Sequence, residues 1–138
     1  MAQRDDAVDV GYKSAPEFWD EIVLASAGRF ETQPTRAHAM AVAIYVSHFL
    51  DWVFCEKHRD ERRDDAAYET FKKRHHAACP VLGWLATLAD VQAQPAAFSL
   101  IQRNEAGVPA LYLVLPDGTP HRFGDVVVSA IAYWQANR

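Results

Sequence analysis

The chain has 138 residues, of which 50% are hydrophobic and 23% are charged, and its formal net charge is −4. This composition excludes a disordered or collagen-like chain, and the net charge gives no overall attraction to nucleic acids. The length is typical of one domain, so we expect residues 1–138 to form a single domain.

The sequence has no feature that predicts export or membrane insertion. The first ten residues, MAQRDDAVDV, lack the basic start and apolar run of a signal peptide, and no charge-free apolar stretch of about 18 residues follows. We therefore expect a cytoplasmic protein that does not act at a membrane. The two cysteines, Cys55 and Cys79, are too few for a disulfide framework and are expected to remain thiols.

Two helices are predicted in the first half of the chain. The motif SAPE at residues 14–17 resembles a capping box with an early proline, and it predicts a helix over about 15–28. Thr35 can cap a second helix over about 36–59. This second helix is apolar on nearly every side between residues 39 and 54, which predicts a central element that several others cover.

Two more helices are predicted after the polar run KHRDERRDD. Asp64 or Asp65 can cap the third helix. Cys79-Pro80 separates it from the fourth, because a residue before proline disfavours helical backbone and proline suits a helix start. The fourth helix is expected to end near Val91, before a short linker, QAQP.

The last third of the chain changes to an extended pattern. FSLIQR (98–103) and PALYLVL (109–115) read as two strands joined by the glycine-containing turn NEAG, and a third short strand follows the turn PDG. The expected fold is therefore mainly α, with a helical bundle of about four helices at about 15–91, a small antiparallel β-sheet of two or three strands at about 98–123 and a C-terminal helix at about 125–137.

Two cysteines and two histidines have the residue types of a zinc site, namely Cys55, His58, His75 and Cys79. If helices two and three form an antiparallel hairpin that turns near residue 62, His75 and Cys79 lie about 9 to 15 Å farther along it than the other pair. That separation is too large for one ion to be shared, so we do not expect this zinc site.

The same hairpin geometry places a different group of residues at one level. His48 and Asp51 are three residues apart and share a helix face, and residue 75 or 76 lies opposite them. Two imidazoles and a carboxylate from His48, Asp51 and His75 can bind a divalent metal, or act as general acid and base. The favoured alternative is a buried polar network, in which Asp51 accepts a hydrogen bond in the core and no cofactor is bound.

A run of basic residues is the one candidate surface for RNA. Seven of the fourteen Lys and Arg residues lie between Lys57 and Arg74, but five acidic residues are interleaved with them. This small local excess of positive charge favours a solvated turn and helix surface over a nucleic-acid interface. No nucleotide-binding, hydrolase or metalloprotease motif is present in the sequence.

Two short motifs carry a family resemblance. The motif His-x-x-Asp-Trp occupies residues 48–52 of the second helix, and Cys79-Pro80 opens a later one. With these motifs, residues 37–90 resemble a group of uncharacterised bacterial helical proteins that are similar in architecture to HEPN proteins. The resemblance implies a helical protein that dimerises, in a group that often cuts RNA. The RNA-cutting members use an arginine followed four to six residues later by a histidine, and no such pair occurs here, so no catalytic residue is implied.

Three functions are compatible with the sequence. The first is a non-catalytic, dimeric HEPN-like module that binds a protein partner, which the absence of catalytic motifs favours. The second is an RNA-directed nuclease of a toxin or antiphage system, by fold analogy alone. The third is a metal-dependent enzyme that uses His48, Asp51 and His75. A homodimer is expected, because the second helix has more apolar surface than so short a chain is expected to cover.

Overall fold

The structure is a computed structural model that describes residue 7 and residues 11–58, 64–90 and 98–138. It confirms the predicted fold class, since a mainly helical chain carries a small antiparallel sheet and a C-terminal helix. In chain order the elements are α1 (Ala15–Phe18), a π-helical turn (Trp19–Val23), α2 (Leu24–Thr32), α3 (Arg36–Lys57), α4 (Asp65–Ala78), α5 (Pro80–Ala89), β1 (Ser99–Glu105), β2 (Val108–Val114), β3 (Pro120–Arg122) and α6 (Phe123–Asn137).

The first helix consists of α1, the π-helical turn and α2 in succession. The side chain of Ser14 accepts a hydrogen bond of 3.2 Å from a backbone N–H in the first turn, as the predicted cap requires. The helix continues to Thr32, past the predicted end at Gly28. A glycine inside a helix costs only about 1 kcal/mol. The buried contact between Phe30 and Phe123, with 5.1 Å between ring centroids, offsets this cost.

α3 is the central helix, as its apolar sequence predicts. Thr35 caps its start by accepting a hydrogen bond from the N–H of His38 at 3.2 Å. It contacts α1, α2, α4, α5 and α6, and its buried residues are Ala39, Val42, Ala43, Val46, Phe49, Leu50, Val53 and Phe54. Within the described residues, α3 is also the one helix long and apolar enough to cross a membrane, a property it shares with the core helices of globular domains.

α4 and α5 are divided where the sequence predicts. Asp64 caps α4 by accepting hydrogen bonds from two backbone N–H groups at 3.0 and 3.2 Å. Cys79 has extended backbone dihedral angles, and Pro80 is the first residue of α5. The predicted helix end at Val91, the linker QAQP and residues 59–63 of the polar run lie outside the described residues.

A line of aromatic rings joins the first helix, α3 and α6. The ring centroids of Trp19 and Phe49 are 4.8 Å apart, and those of Phe49 and Trp134 are 5.3 Å apart. All three side chains are almost fully buried. Because aromatic side chains bury large apolar areas, these contacts hold α6 against α3.

The sheet has the strand order β1-β2-β3, and both strand pairs are antiparallel. Leu113 of β2 points to the core and is fully buried. Tyr112 lies on the opposite face, as strand alternation requires, and the guanidinium carbons of Arg103 and Arg122 are 4.9 and 5.4 Å from its ring centroid. Glu105 accepts hydrogen bonds from Tyr112 and Arg122. The outer face of the sheet therefore carries a polar cluster with its own charge pairing.

The β1–β2 hairpin turns on two residues, Ala106 and Gly107. Both have positive φ, 52° at the alanine and 82° at the glycine. Positive φ at both positions is the type I′ arrangement, for which Asn-Gly is the preferred sequence. Alanine is strained there, because its Cβ crowds the following carbonyl oxygen in left-handed backbone.

Replacing this alanine with asparagine is expected to stabilise the protein. Asparagine tolerates left-handed backbone better than alanine, so Ala106→Asn should raise the free energy of unfolding by about 0.5 to 1 kcal/mol. Chemical denaturation followed by circular dichroism measures this change. Gly107→Ala is the opposite change, because it adds a Cβ atom at a residue with positive φ. It should lower the free energy of unfolding by about 1 kcal/mol. A less stable Ala106→Asn protein would contradict this description of the turn.

Candidate functional site

An open groove lies between α3, α4 and α5. Its volume is about 850 Å³. Each of the three helices contributes part of the lining. Asp90, which follows α5, and Phe98, which precedes β1, complete it. The lining residues are Ile44, Ser47, His48, Leu50, Asp51, Tyr68, Lys72, His76, Gly83, Trp84, Ala86, Thr87, Ala89, Asp90 and Phe98.

One face of α3 contributes three polar residues to the groove. Ile44, Ser47, His48 and Asp51 follow the spacing i, i+3, i+4 and i+7, which places them together on a helix. The side chains of His48 and Asp51 are 61% and 45% exposed, and Ile44 is 37% exposed. Three polar residues of this largely apolar helix, Ser47, His48 and Asp51, therefore lie on the side that faces the groove.

Asp51 is held in place by Tyr68 of α4. The hydroxyl group of Tyr68 donates a hydrogen bond to Oδ1 of Asp51. Burial and then this hydrogen bond raise the pKa of Tyr68, so the phenol remains protonated and acts as the donor. Oδ2 of the same carboxylate is 3.7 Å from Nδ1 of His48, and the two form an ion pair only when the imidazole is protonated.

α4 presents two stripes of side chains with different surroundings. Tyr68, Lys72 and His76 are spaced by four residues and line the groove. Phe71 and His75 belong to the other stripe and are buried. Successive residues of a helix differ by about 100° in direction, so the two neighbouring histidines point to different parts of the protein.

Lys72 and His76 complete the α4 wall of the groove. Nζ of Lys72 is 3.1 Å from Oε1 of Glu69 and 5.5 Å from the ring centroid of Tyr68. His76 lies against α5 at Gly83, where a Cβ atom would be 3.5 Å from Nδ1 of the imidazole. Burial and then the charge of Lys72 lower the pKa of His76. Its imidazole is therefore neutral near pH 7 and can both donate and accept a hydrogen bond.

The predicted group of His48, Asp51 and His75 is not assembled in the structure. His75 is only 6% exposed and lies against α6, where Nδ1 is hydrogen-bonded to the hydroxyl group of Tyr133. Its ring centroid is 4.9 Å from that of Trp134. The antiparallel hairpin geometry used for the prediction gives the level of each residue along the helix. It does not give the rotation of α4 about its own axis. That rotation turns the next histidine, and not this one, toward the groove.

The described part of the chain contains no group of three or more His, Cys, Asp or Glu side chains that could hold a metal ion. The residues considered above for zinc have separate surroundings. Cys55 is exposed, whereas Cys79 is buried, and burial raises the pKa of its thiol. The ring of His58 stacks on Phe54 with 4.9 Å between centroids.

Tyr68 and Lys72 are groove residues that sequence patterns did not identify as part of a site, and His76 lay at the predicted level but was passed over in favour of His75. The sequence feature that could have identified these α4 residues is their spacing of four, which places them on one face of the helix. The same spacing is equally typical of an ordinary solvated helix face. Their role as one wall of a groove follows only from the packing of α4 beside α3 and α5.

Comparison with known proteins gave no match. No family model, no curated protein and no solved structure matches this chain.

The buried His75 predicts a dependence of stability on pH. Burial, followed by the positive charges of Arg74, Lys57 and His76, lowers the pKa of His75 from 6.5 to about 4. Nε2 of His75 has no hydrogen-bond partner among the described residues, and the same holds for Nε1 of Trp134. A proton added to the imidazole would thus place a charge in an aromatic environment.

Protonation of His75 should destabilise the folded protein. The unfolded chain binds this proton near pH 6.5 and the folded protein only near pH 4. The stabilising contribution is therefore complete above pH 6.5 and is lost as the pH falls toward 4. We expect a loss on the order of 3 kcal/mol between about pH 7 and about pH 4, measured as the free energy of unfolding against pH.

His75→Phe is the matched variant for this measurement. It keeps an aromatic ring beside Trp134 and removes the titrating group, so its stability should fall less over the same pH range. The carboxylates titrate in both proteins and cancel in the comparison. Parallel stability curves for the two proteins would show that a different group causes the acid sensitivity.

Proposed function

We propose that this protein is a non-catalytic, dimeric HEPN-like binding module and that the groove between α3, α4 and α5 is its binding site. The supporting observation is that the groove joins an apolar surface to polar side chains with fixed positions. Ile44, Trp84 and Phe98 supply apolar contact, and Asp51 is oriented by Tyr68. The volume of about 850 Å³ is in the range typical of ligand sites.

The hydroxyl groups of Ser47 and Thr87 are not arranged as nucleophiles, which favours a binding site over a catalytic one. The Ser47 hydroxyl donates to the carbonyl oxygen of Ala43 at 2.8 Å, and the Thr87 hydroxyl donates to that of Gly83 at 2.9 Å. A serine or threonine nucleophile is activated by a base within hydrogen-bond reach. Here both hydroxyl groups donate to the backbone of their own helix, which is an ordinary structural role.

Filling the groove should prevent ligand binding. Ala86→Phe adds a ring to the groove lining, whereas Ala37→Phe adds the same ring at an exposed position of α3 outside it. Small cationic, anionic and neutral compounds would be screened by NMR chemical-shift changes. We expect shifts at groove residues in the wild type and in Ala37→Phe, and binding weaker by at least about tenfold in Ala86→Phe. Shifts that cluster elsewhere, or binding that Ala86→Phe leaves unchanged, would place the site outside the groove.

A second candidate function is an enzyme that uses the imidazoles of the groove. It is favoured by the presence of His48, Asp51 and His76 in one groove, because imidazoles beside a carboxylate are suited to proton transfer. An RNA-directed nuclease is the form of this candidate that the HEPN resemblance suggests. A metal-dependent enzyme is not favoured, because no group of three or more His, Cys, Asp or Glu side chains in the described part of the chain could hold a metal ion. Elemental analysis of the purified protein would test this by detecting or excluding a divalent ion.

Expression in a bacterial host separates the enzyme from the binding module. Growth arrest or RNA cleavage that His48→Gln and His76→Gln both relieve, with each variant folded, would favour the enzyme. Ligand binding in the groove without either effect would favour the binding module. The control variant is His38→Gln, because His38 lies at the start of α3 outside the groove lining.

We also propose that two copies dimerise through α2 and α6. A second groove of about 640 Å³ runs between these helices. Val128 on its rim is 67% exposed, and such exposed apolar surface often marks an interface. On α3, where the sequence predicted surplus apolar surface, Ile44 is the large hydrophobic residue that is exposed among those described. The apolar residues that line the second groove are Leu24, Ala27, Phe30, Pro34, Val127, Val128, Ile131 and Ala132.

An acidic residue at the proposed interface should separate the two copies. Val128→Asp should give the monomer mass of 15.5 kDa in sedimentation equilibrium, whereas the wild type gives twice that value. The cause is the cost of burying an unpaired carboxylate. The control is Val108→Asp, because Val108 is 62% exposed on the hairpin and outside the second groove. A wild-type mass of 15.5 kDa at all concentrations would contradict the dimer.

A further inference from the structure

The carboxylate of Asp51 and the ammonium group of Lys72 both line the groove, and they have different partners. Lys72 is paired with Glu69 on its own helix at 3.1 Å, so its positive charge is offset locally. Asp51 accepts its hydrogen bond from Tyr68, which is a neutral donor. The hydrogen bond from Tyr68 therefore does not offset the charge of this carboxylate, unlike the pairing of Lys72 with Glu69.

Oδ2 is the oxygen of Asp51 that is suited to contact a ligand. Oδ1 already accepts the Tyr68 hydrogen bond. Oδ2 is 3.7 Å from Nδ1 of His48, which is longer than a hydrogen bond. The side chain is 45% exposed, and it lines the groove. A donor with a positive charge could thus reach Oδ2 without displacing Tyr68.

The remaining lining favours an organic cation over a bare inorganic one. Ile44, Trp84 and Phe98 form apolar and aromatic surface in the same groove as Asp51. Trp84 is half-buried and packs on His121, with 4.8 Å between ring centroids, so its ring has a supported position. Aromatic rings attract ammonium groups through their negative faces and also bury apolar carbon.

We propose that the groove binds a small organic ammonium compound with an aromatic or aliphatic body. The ammonium group donates a hydrogen bond to Oδ2 of Asp51, and the body lies against Ile44, Trp84 and Phe98. This inference rests on the proposed function, in which the groove is the binding site. It adds the chemical class of the ligand.

Three probes of similar size separate charge from shape. They are 2-phenylethylamine, which is cationic, 2-phenylethanol, which is neutral, and phenylacetate, which is anionic. Titration calorimetry with the full chain would be done at about pH 8, above the range in which imidazoles are protonated. We expect the amine to bind at least about tenfold more tightly than the alcohol, because its hydrogen bond to the carboxylate is charge-assisted.

Asp51→Asn tests the carboxylate directly. Asparagine keeps an oxygen that can accept the Tyr68 hydrogen bond, so thermal melting should confirm that the fold is retained. The amine should then bind about tenfold more weakly, and the alcohol should bind as before. Asp20→Asn is the matched control, since Asp20 is exposed on the first helix and outside the groove lining. Trp84→Leu is a second variant that keeps the carboxylate, and it should weaken the binding of all three probes.

The possible results separate this inference from the proposed function. Preference for the amine that Asp51→Asn abolishes supports both. Equal binding of the amine and the alcohol, with sensitivity to Trp84→Leu, overturns the ammonium assignment and keeps the groove as a binding site. Tighter binding of phenylacetate also overturns the assignment. If none of the three probes binds, the ammonium assignment is also overturned. The wider compound screen with Ala86→Phe then tests whether the groove is a binding site.

Discussion

The burial of α3 is the constraint on which the rest of the structure depends. This helix has 22 residues, and eight of them are buried on several of its sides. A helix that is apolar nearly all round is stable in water only when other elements cover it. The first helix, α4, α5 and α6 supply that cover. The contacts of Phe49 with Trp19 and Trp134 join α3 to two of these elements, the first helix and α6.

Within the described residues, the groove results from incomplete cover of α3. Ile44, Ser47, His48 and Asp51 share the face of α3 that remains open between α4 and α5. Polar residues in an apolar helix are usually a cost to stability unless they are bonded or exposed. Here exposure and the hydrogen bond from Tyr68 remove that cost. The exposure of these polar α3 residues and the open shape of the groove therefore both result from the way α4 and α5 pack beside α3.

The adjacent histidines of α4 show how one helix serves the core and the groove. His75 packs among aromatic rings of α4 and α6, where its neutral form is favoured. His76 faces the groove beside Lys72 and Gly83. Two chemically identical side chains thus differ in exposure and partners because the helix turns by about 100° between them.

The sequence by itself determined the helices, their caps and the sheet. Local rules are sufficient there, because the Thr35 and Asp64 caps, the break at Cys79-Pro80 and the strand alternation all act between near neighbours. It also placed His48 and Asp51 on one face, since helical spacing alone fixes that. Tertiary structure decided the rest of the site. Which face of α4 meets α3 depends on the rotation of whole helices, and that rotation is set by the packing of many distant side chains.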